Sequence, residues 1–230
     1  MGSSAAFAVG LINALTSLRG EKLSKYELAA KAIELEQTVL NENVGCQDQI
    51  ACAYGGFNTI RFLKDGSFCV EPLRAPKQRL LELESRLMLF YTGVSRSASE
   101  VAAKVIAHLG AKKKELGRMK EIVGEAVDLL GSGQNMDGFG RLLKETWELK
   151  KRIAPGVTNA RIDGILDAGI ENGAIGGKLL GAGGTGFVLF YVPTQYQDRV
   201  RKALHNYLYV PFRFDVTGSK IGRASCRERV

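Results

Sequence analysis

Glu36 and Asp48 stand twelve positions apart, on either side of the break Asn41–Gly45. A turn there can fold two carboxylates toward one point, and such a pair can serve a divalent cation and hold or accept a proton. Asp48 has a second reading: an acid just after Gly45 can cap the helix that Gln49–Ala53 begins. Ahead of both, Gly2, Ser3 and Ser4 lead straight into the apolar run AAFAVGLINALTSL. A small, flexible turn before a helix exposes unpaired N–H groups to an anion, and a hydroxyl can reach a phosphate or its metal. Plain N-capping by serine accounts for the same residues. The third candidate is Gly176–Gly186, where Gly181, Gly183, Gly184 and Gly186 crowd the space between two apolar runs. Glycine at that density implies close backbone approach or torsions that other residues avoid, though a tight hairpin without a ligand would also use it. The stretch is not a Walker A loop, since Lys178 precedes the glycines. Nor is it a Rossmann fingerprint, since a strand follows it and not a helix.

The elements that must position these residues can be read from periodicity. Leu28, Ala32, Leu35 and Val39 recur at helical spacing up to Leu40. Thr59–Val70 alternates around Asp65–Gly66, which predicts a hairpin, and Pro72–Pro76 reads as a domain boundary. Leu87–Tyr91 predicts a buried strand, with Arg96 in the loop after it as a candidate anion contact or a surface cation. Helices are expected from Ser95–Ser99 onward, over Lys114–Leu130, Asp137–Lys151, Asn159–Glu171 and Gln195–Tyr207, with strands at FVLFYV and Tyr209–Val216. That order predicts an α+β fold in which helices cover one face of a four-stranded antiparallel sheet.

Composition narrows the classes. The 230 residues are 45% hydrophobic, enough for one large or two modest domains, and the net charge of +8 suits an anionic partner. Lys112–Lys114 reads as a solvated helix face. Cys46, Cys52, Cys69 and Cys226 lack CxxC spacing and nearby histidine, which argues against zinc and a disulfide framework and for a reducing, cytoplasmic compartment. No basic leader or membrane-length apolar stretch is present in the sequence, and neither a membrane nor a nucleic-acid partner is expected. RNA binding through Tyr209, Phe212 and Phe214 is the remote alternative.

GSSAA with its apolar helix, ENVGCQDQIACAYGGFN and KLLGAGGTGFVLFYV occur in the order and character of the small-molecule kinases called GHMP, after galactokinase, homoserine, mevalonate and phosphomevalonate kinases. The resemblance runs from Gly2 to about Lys220. The segments MDGFGRLLKETWELKKR and APGVTNARIDGILDAGIENGAIGGKLLGAGGTGF make it look most like members that phosphorylate the anomeric hydroxyl of D-glycero-D-manno-heptose 7-phosphate. It implies ATP and Mg²⁺ as cofactors and a sugar phosphate as partner. Ser4 and Glu36 would be the metal-binding pair, Gly2 and Ser3 would shape the nucleotide-binding helix start, and Asp48 would orient or deprotonate the sugar hydroxyl. Gly181, Gly183, Gly184 and Gly186 would form the carboxy-terminal glycine loop of the nucleotide site. The family's amino-terminal strands have no counterpart before GSSAA. The implied fold is therefore a truncated kinase: a partial ribosomal-protein-S5-like lobe over residues 1–76, a ferredoxin-like domain with an antiparallel sheet over 77–218, and a disordered or artefactual tail over 219–230. A nucleotide- or sugar-phosphate-binding fragment without turnover is the alternative.

Overall fold

A computed structural model of the chain describes residues 2–93, 112–153, 156–181, 183–184 and 186–222. The expectations for Arg96, for the helix after Ser95–Ser99, for Cys226 and for the tail beyond residue 222 lie outside them. The chain divides into two compact units, one formed by Arg74–Arg213 and the other by Gly2–Leu73 together with the segment that starts at Phe214.

The smaller unit is built on three helices, α1 (Ser3–Leu18), α2 (Lys25–Glu34) and α3 (Gln47–Tyr54), and a hairpin of β1 (Asn58–Phe62) and β2 (Phe68–Pro72). A capping box starts α2: Glu27 N–H donates to Ser24 Oγ at 3.2 Å while Ser24 N–H donates to Glu27 Oε2 at 2.8 Å. The core is rich in alanine, with Ala8, Ala29, Ala32 and Ala53 beside Val9, Leu28, Ile50 and Phe68, and small residues at the crossings let the helices approach closely. Phe7, Leu11, Leu15 and Leu18 run along the other side of α1 at 71%, 40%, 51% and 84% exposure, so a helix apolar on most faces buries only one of them here.

The helix expected to reach Leu40 changes character before it ends. Leu35–Val39 forms a π-helical turn, and the loop after it passes through Asn41 at a left-handed φ of 52°. A wider turn rotates the residues that follow out of α-helical register. Val39, expected on the buried face, is consequently exposed, while Glu36 is 3% exposed.

The larger unit carries the sheet. α4 (Lys77–Arg86) runs into β3 (Leu87–Tyr91); α5 (Lys113–Gly131), α6 (Asp137–Ile153) and α7 (Ala160–Glu171) follow; then come β4 (Gly176–Leu179), β5 (Phe187–Tyr191), α8 (Gln197–Ala203) and β6 (Leu208–Tyr209). The four strands pair antiparallel, as the element order predicts, and their spatial order is β4-β5-β3-β6. Met88, Phe90, Val188, Phe190 and Leu179 of the sheet pack with Trp147, Ile162, Ile165 and Leu166 of α6 and α7.

Two expectations are corrected. The helix placed at Gln195–Tyr207 is a 3₁₀ turn at Thr194–Tyr196 followed by the shorter α8. The last strand, placed at Tyr209–Val216, is only Leu208–Tyr209 plus one further bond from Val210 N–H to Leu89 O at 2.8 Å. Pro211 has no N–H to continue the ladder. Beyond it the chain joins the smaller unit. Phe214 meets Phe57 edge-on at 4.5 Å, Gly56 N–H donates to Asp215 O at 2.8 Å, and Ser219 N–H donates to Cys52 O at 2.9 Å. The crossing requires glycine on both strands of chain: a Cβ on Gly55 would lie 2.0 Å from Gly218 N, and one on Gly218 would lie 2.5 Å from Ala53 O.

Candidate active site

In the smaller unit the helix start expected at Gly2–Ser4 is present, with Gly2 rather than a serine as N-cap. Gly2 adopts a left-handed φ of 54°, its carbonyl accepts the first helical bond from Ala6 N–H at 2.8 Å, and no side chain caps the end. The amides of Ser3, Ser4 and Ala5 precede that first bond, as the opening N–H groups of any helix do. Ser3 and Ser4 are exposed, so hydroxyls that the capping reading would have consumed remain available.

Asp48 lies in the first turn of α3, whose N-cap is Cys46. Its carboxylate is therefore not the cap, and it is exposed. A Cβ built on Gly2 would sit 3.4 Å from Asp48 Oδ2, which puts the start of α1 against this carboxylate. Glu36 is held differently. Gln49, the neighbour of Asp48 on the inward side of α3, donates from Nε2 to Glu36 Oε2, with both side chains buried. Glu42 N–H donates to Glu36 O at 2.9 Å, and Gln37 Nε2 donates to Val44 O at 2.8 Å, so the loop between the two acids is tied to the π-helical turn. Cys52, one turn after Asp48, has its thiol pushed above the usual range by burial first and then by the charges of Asp48 and Glu36.

Among the described residues no group of three or more His, Cys, Asp or Glu side chains could enclose a metal. Mg²⁺ does not ask for one: it favours hard oxygen donors and commonly rests on one or two carboxylates plus substrate phosphates and water. The Glu36 carboxylate and the Ser4 hydroxyl are donors of that kind. Among the described residues Gln49 Oε1, beside Glu36, is buried without a hydrogen-bond partner, an acceptor that a metal-bound water would satisfy. These residues fit Mg²⁺ in type. Gln49 was not apparent from the sequence, and its only signal is its place beside Asp48 in a segment otherwise explained by helix periodicity.

In the larger unit the glycine-rich stretch joins β4 to β5. Gly181, Gly183, Gly184 and Gly186 have φ values of 81°, 133°, 76° and 117°, in the region that favours glycine. Three distant side chains pin the loop. Lys150 Nζ of α6 donates to Gly181 O, Asn159 Nδ2 donates to Gly184 O at 2.9 Å, and Gly186 N–H donates to Thr92 Oγ1 at 3.1 Å. Backbone bonds add to this, from Gly184 N–H to Val157 O at 3.0 Å and from Thr92 N–H to Gly186 O at 2.9 Å. A Cβ on Gly183 would lie 2.7 Å from Val157 Cα and 2.9 Å from Val157 O. Gly183→Val is thus expected to lower stability by at least about 1–3 kcal/mol, the scale of a forced backbone conformation, or to displace the loop. A thermal melt and nucleotide affinity matching the parent would show that the close approach is dispensable.

Lys150 and Lys178 are half-buried here. Burial, and then the charge of Lys178, pull the Lys150 ammonium down to about 8; burial lowers Lys178 as well. Between that value and the ordinary lysine range the unfolded chain binds the extra proton, so the penalty is fully present below pH 8 and fades above it. Stability of the ligand-free protein should rise from Lys150 as pH passes through 8 toward 10.5, and Lys150→Met should flatten that part of the profile. Denaturation profiles of both proteins over this range check it; identical slopes would contradict it.

An α+β protein with an open helix start beside the Asp48 carboxylate, a buried acid in Glu36, and a glycine loop closing an antiparallel sheet has the parts of a phosphoryl-transfer enzyme. Residues 1–56 match the GHMP kinases N terminal domain and residues 125–210 the GHMP kinases C terminal domain. The D-glycero-alpha-D-manno-heptose 7-phosphate kinase of Campylobacter jejuni is 34% identical over 228 residues, covering 97% of this chain and 67% of that protein. A crystal structure of a D-glycero-D-manno-heptose 1-phosphate kinase from Bacteroides thetaiotaomicron is 28% identical with a TM-score of 0.67, covering 97% of this chain and 64% of that one. A putative sugar kinase from Campylobacter jejuni is 31% identical with a TM-score of 0.67, covering 95% and 63%. The chain therefore belongs to the GHMP kinases, and it spans about two thirds of the length of these relatives.

Proposed function

We propose that this chain carries the catalytic parts of an ATP-dependent kinase that phosphorylates a sugar phosphate, with the anomeric hydroxyl of D-glycero-D-manno-heptose 7-phosphate as the acceptor. The observation that carries the reading is the placement of Gly2, at the open start of α1, against the Asp48 carboxylate. Phosphoryl transfer needs a cradle for the phosphates and a group that holds the attacking hydroxyl in line. Here the amides at the start of α1 cradle phosphate, and Asp48 accepts the hydroxyl proton as the new bond forms. Ser4 and Glu36 would hold Mg²⁺, which would supply charge neutralisation on the transferring group, and Gln49 orients Glu36. Gly181, Gly183, Gly184 and Gly186 keep a nucleotide-binding loop in shape. The heptose is suggested by the Campylobacter relative's name, and an anionic substrate suits the net charge of +8.

In this reading the larger unit is ferredoxin-like, which the strand order β4-β5-β3-β6 supports, and the smaller unit is a ribosomal-protein-like lobe. A reducing, cytoplasmic setting suits the free thiols of Cys46, Cys52 and Cys69. Among the described residues no helix is long and apolar enough to cross a membrane. Binding of nucleotide or sugar phosphate without turnover is the second reading. ADP release measured with heptose 7-phosphate, with mannose 6-phosphate and with mevalonate separates them. Acceptor-dependent ADP with the heptose supports the kinase; saturable binding with no ADP from any acceptor supports the binder.

A further inference from the structure

The helix that carries Asp48, α3, is eight residues long, too short to hold in water on its own. Its opening is loosely closed. Cys46 at the N-cap makes no side-chain bond to it, and the first helical bond, from Ile50 N–H to Cys46 O, is long at 3.4 Å. The other end is closed largely from outside. Of its last four carbonyls, Ala51 O accepts from Gly55 N–H at 2.9 Å, but Cys52 O accepts from Ser219 N–H at 2.9 Å and Tyr54 O from Lys25 Nζ of α2. Gly218 passes directly over the remaining one, Ala53 O, where a Cβ would be 2.5 Å away.

These caps come from a strap that begins at Phe214, where the chain joins the smaller unit. Asp215 folds the strap, accepting from Thr217 N–H at 3.0 Å through Oδ1 and from Gly218 N–H at 3.1 Å through Oδ2. That leaves the N–H of Ser219 for Cys52 and the carbonyl of Thr217 for Lys25 Nζ, at 3.2 Å. Ser219 also holds α1, because its Oγ accepts from Asn13 Nδ2 at 2.9 Å.

Two helices that touch at one point can pivot about it. α1 and α3 meet where Gly2 lies against Asp48, and the apolar contacts of Ala8, Val9, Ile50 and Ala53 between them are not directional. The Ser219 clasp lies about 16 Å along α1 from Gly2 and about 6 Å along α3 from Asp48, at 1.5 Å of rise per residue. A tie at that distance fixes the angle between the helices, and with it the place of the Asp48 carboxylate against the open amides of α1.

We propose that Phe214–Ser219 is a positioning element for Asp48: Ser219, through Cys52 and Asn13, and Lys25, through Tyr54 and Thr217, set α3 against α1. The inference rests on the kinase reading only for its effect on rate. The clasp itself is read by hydrogen exchange, without turnover.

Ser219→Ala removes the bond to Asn13, and Lys25→Met removes the cap on Tyr54 O and the tie to Thr217 O. Each should lower kcat by roughly tenfold, since a misplacement of about 1 Å can cost about 10²-fold, with KM for ATP within about threefold of the parent. Lys25→Arg, which keeps a charged donor, should recover most of the rate. In amide exchange of the full chain, α3 should exchange at least about tenfold faster in Ser219→Ala and Lys25→Met, while α7 of the larger unit keeps its rate. A lower melting temperature with kcat unchanged makes the strap a structural tie and overturns the positioning role. Unchanged exchange of α3 overturns it as well, and so does a loss carried wholly by KM. Should neither variant fold, the parent decides: under rising urea the Ser219 amide and the α3 amides must open together, and either one opening while the other stays protected sinks the proposal. A parent that makes no product from any acceptor contradicts the kinase reading, and exchange alone then decides the clasp.

Discussion

Asp48→Asn should lower kcat by roughly 10²–10⁴-fold, the range of positioned acid-base groups, with nucleotide binding little changed. A sugar hydroxyl attacking a phosphoryl group loses its proton as the bond forms, and a carboxylate within about 2.6–3.2 Å of that oxygen has the charge to receive it. Asparagine keeps the shape and cannot take the proton. The competing account, in which Asp48 is a helix cap, predicts no loss of either rate or stability, because Asn caps as well as Asp. The structure bears only on the second account: Cys46 occupies the N-cap, and Asp48 stands inside the first turn beside Gly2. Measuring kcat and thermal stability on the same variant decides the chemical question. A rate within about threefold of the parent would remove Asp48 from the chemistry, because even the weakest positioned base contributes more.

Glu36→Gln should raise the Mg²⁺ concentration needed for half-maximal activity by at least about 10–100-fold, the loss already seen when partners of metal ligands are removed. Folding should survive. A glutamine at this position can still accept from Gln49 Nε2, so the buried pair keeps its hydrogen bond and loses only a charge. A magnesium titration of turnover, with a melt of the metal-free protein alongside, tests both halves. An unchanged magnesium dependence would leave Glu36 as a buried structural acid satisfied by Gln49.

Local patterns were the readable part of this fold. β3 fell where its unbroken apolar run placed it, the β1–β2 hairpin turned at Asp65–Gly66, and Asn159 caps α7 through a 3.1 Å bond from Ile162 N–H, because strand alternation, turn chemistry and capping are short-range. Pro211 could have warned that the alternation of Tyr209–Val216 would not continue as a ladder, but nothing local says that Phe214 onward leaves one unit for the other. That choice is made by Gly55 and Gly218, which come within backbone contact from opposite parts of the chain.

The site divides the same way. Glycine density pointed to the loop, yet the side chains that hold it, Lys150, Asn159 and Thr92, come from three other places in the sequence. Glu36 and Asp48 could be picked out by residue type and spacing. Their different environments could not, because the π-helical turn that buries Glu36 is a departure from the periodicity used to find the helix.

The central claim is that phosphoryl transfer to a sugar phosphate belongs to this chain, and phosphorus NMR of the full chain with ATP, Mg²⁺ and D-glycero-D-manno-heptose 7-phosphate tests it most directly. The account predicts loss of the γ-phosphate signal matched one for one by ADP and by a new phosphate signal coupled to the anomeric proton. A spectrum in which ATP stays intact, or is lost only to inorganic phosphate while the heptose 7-phosphate signal is unchanged, would contradict it.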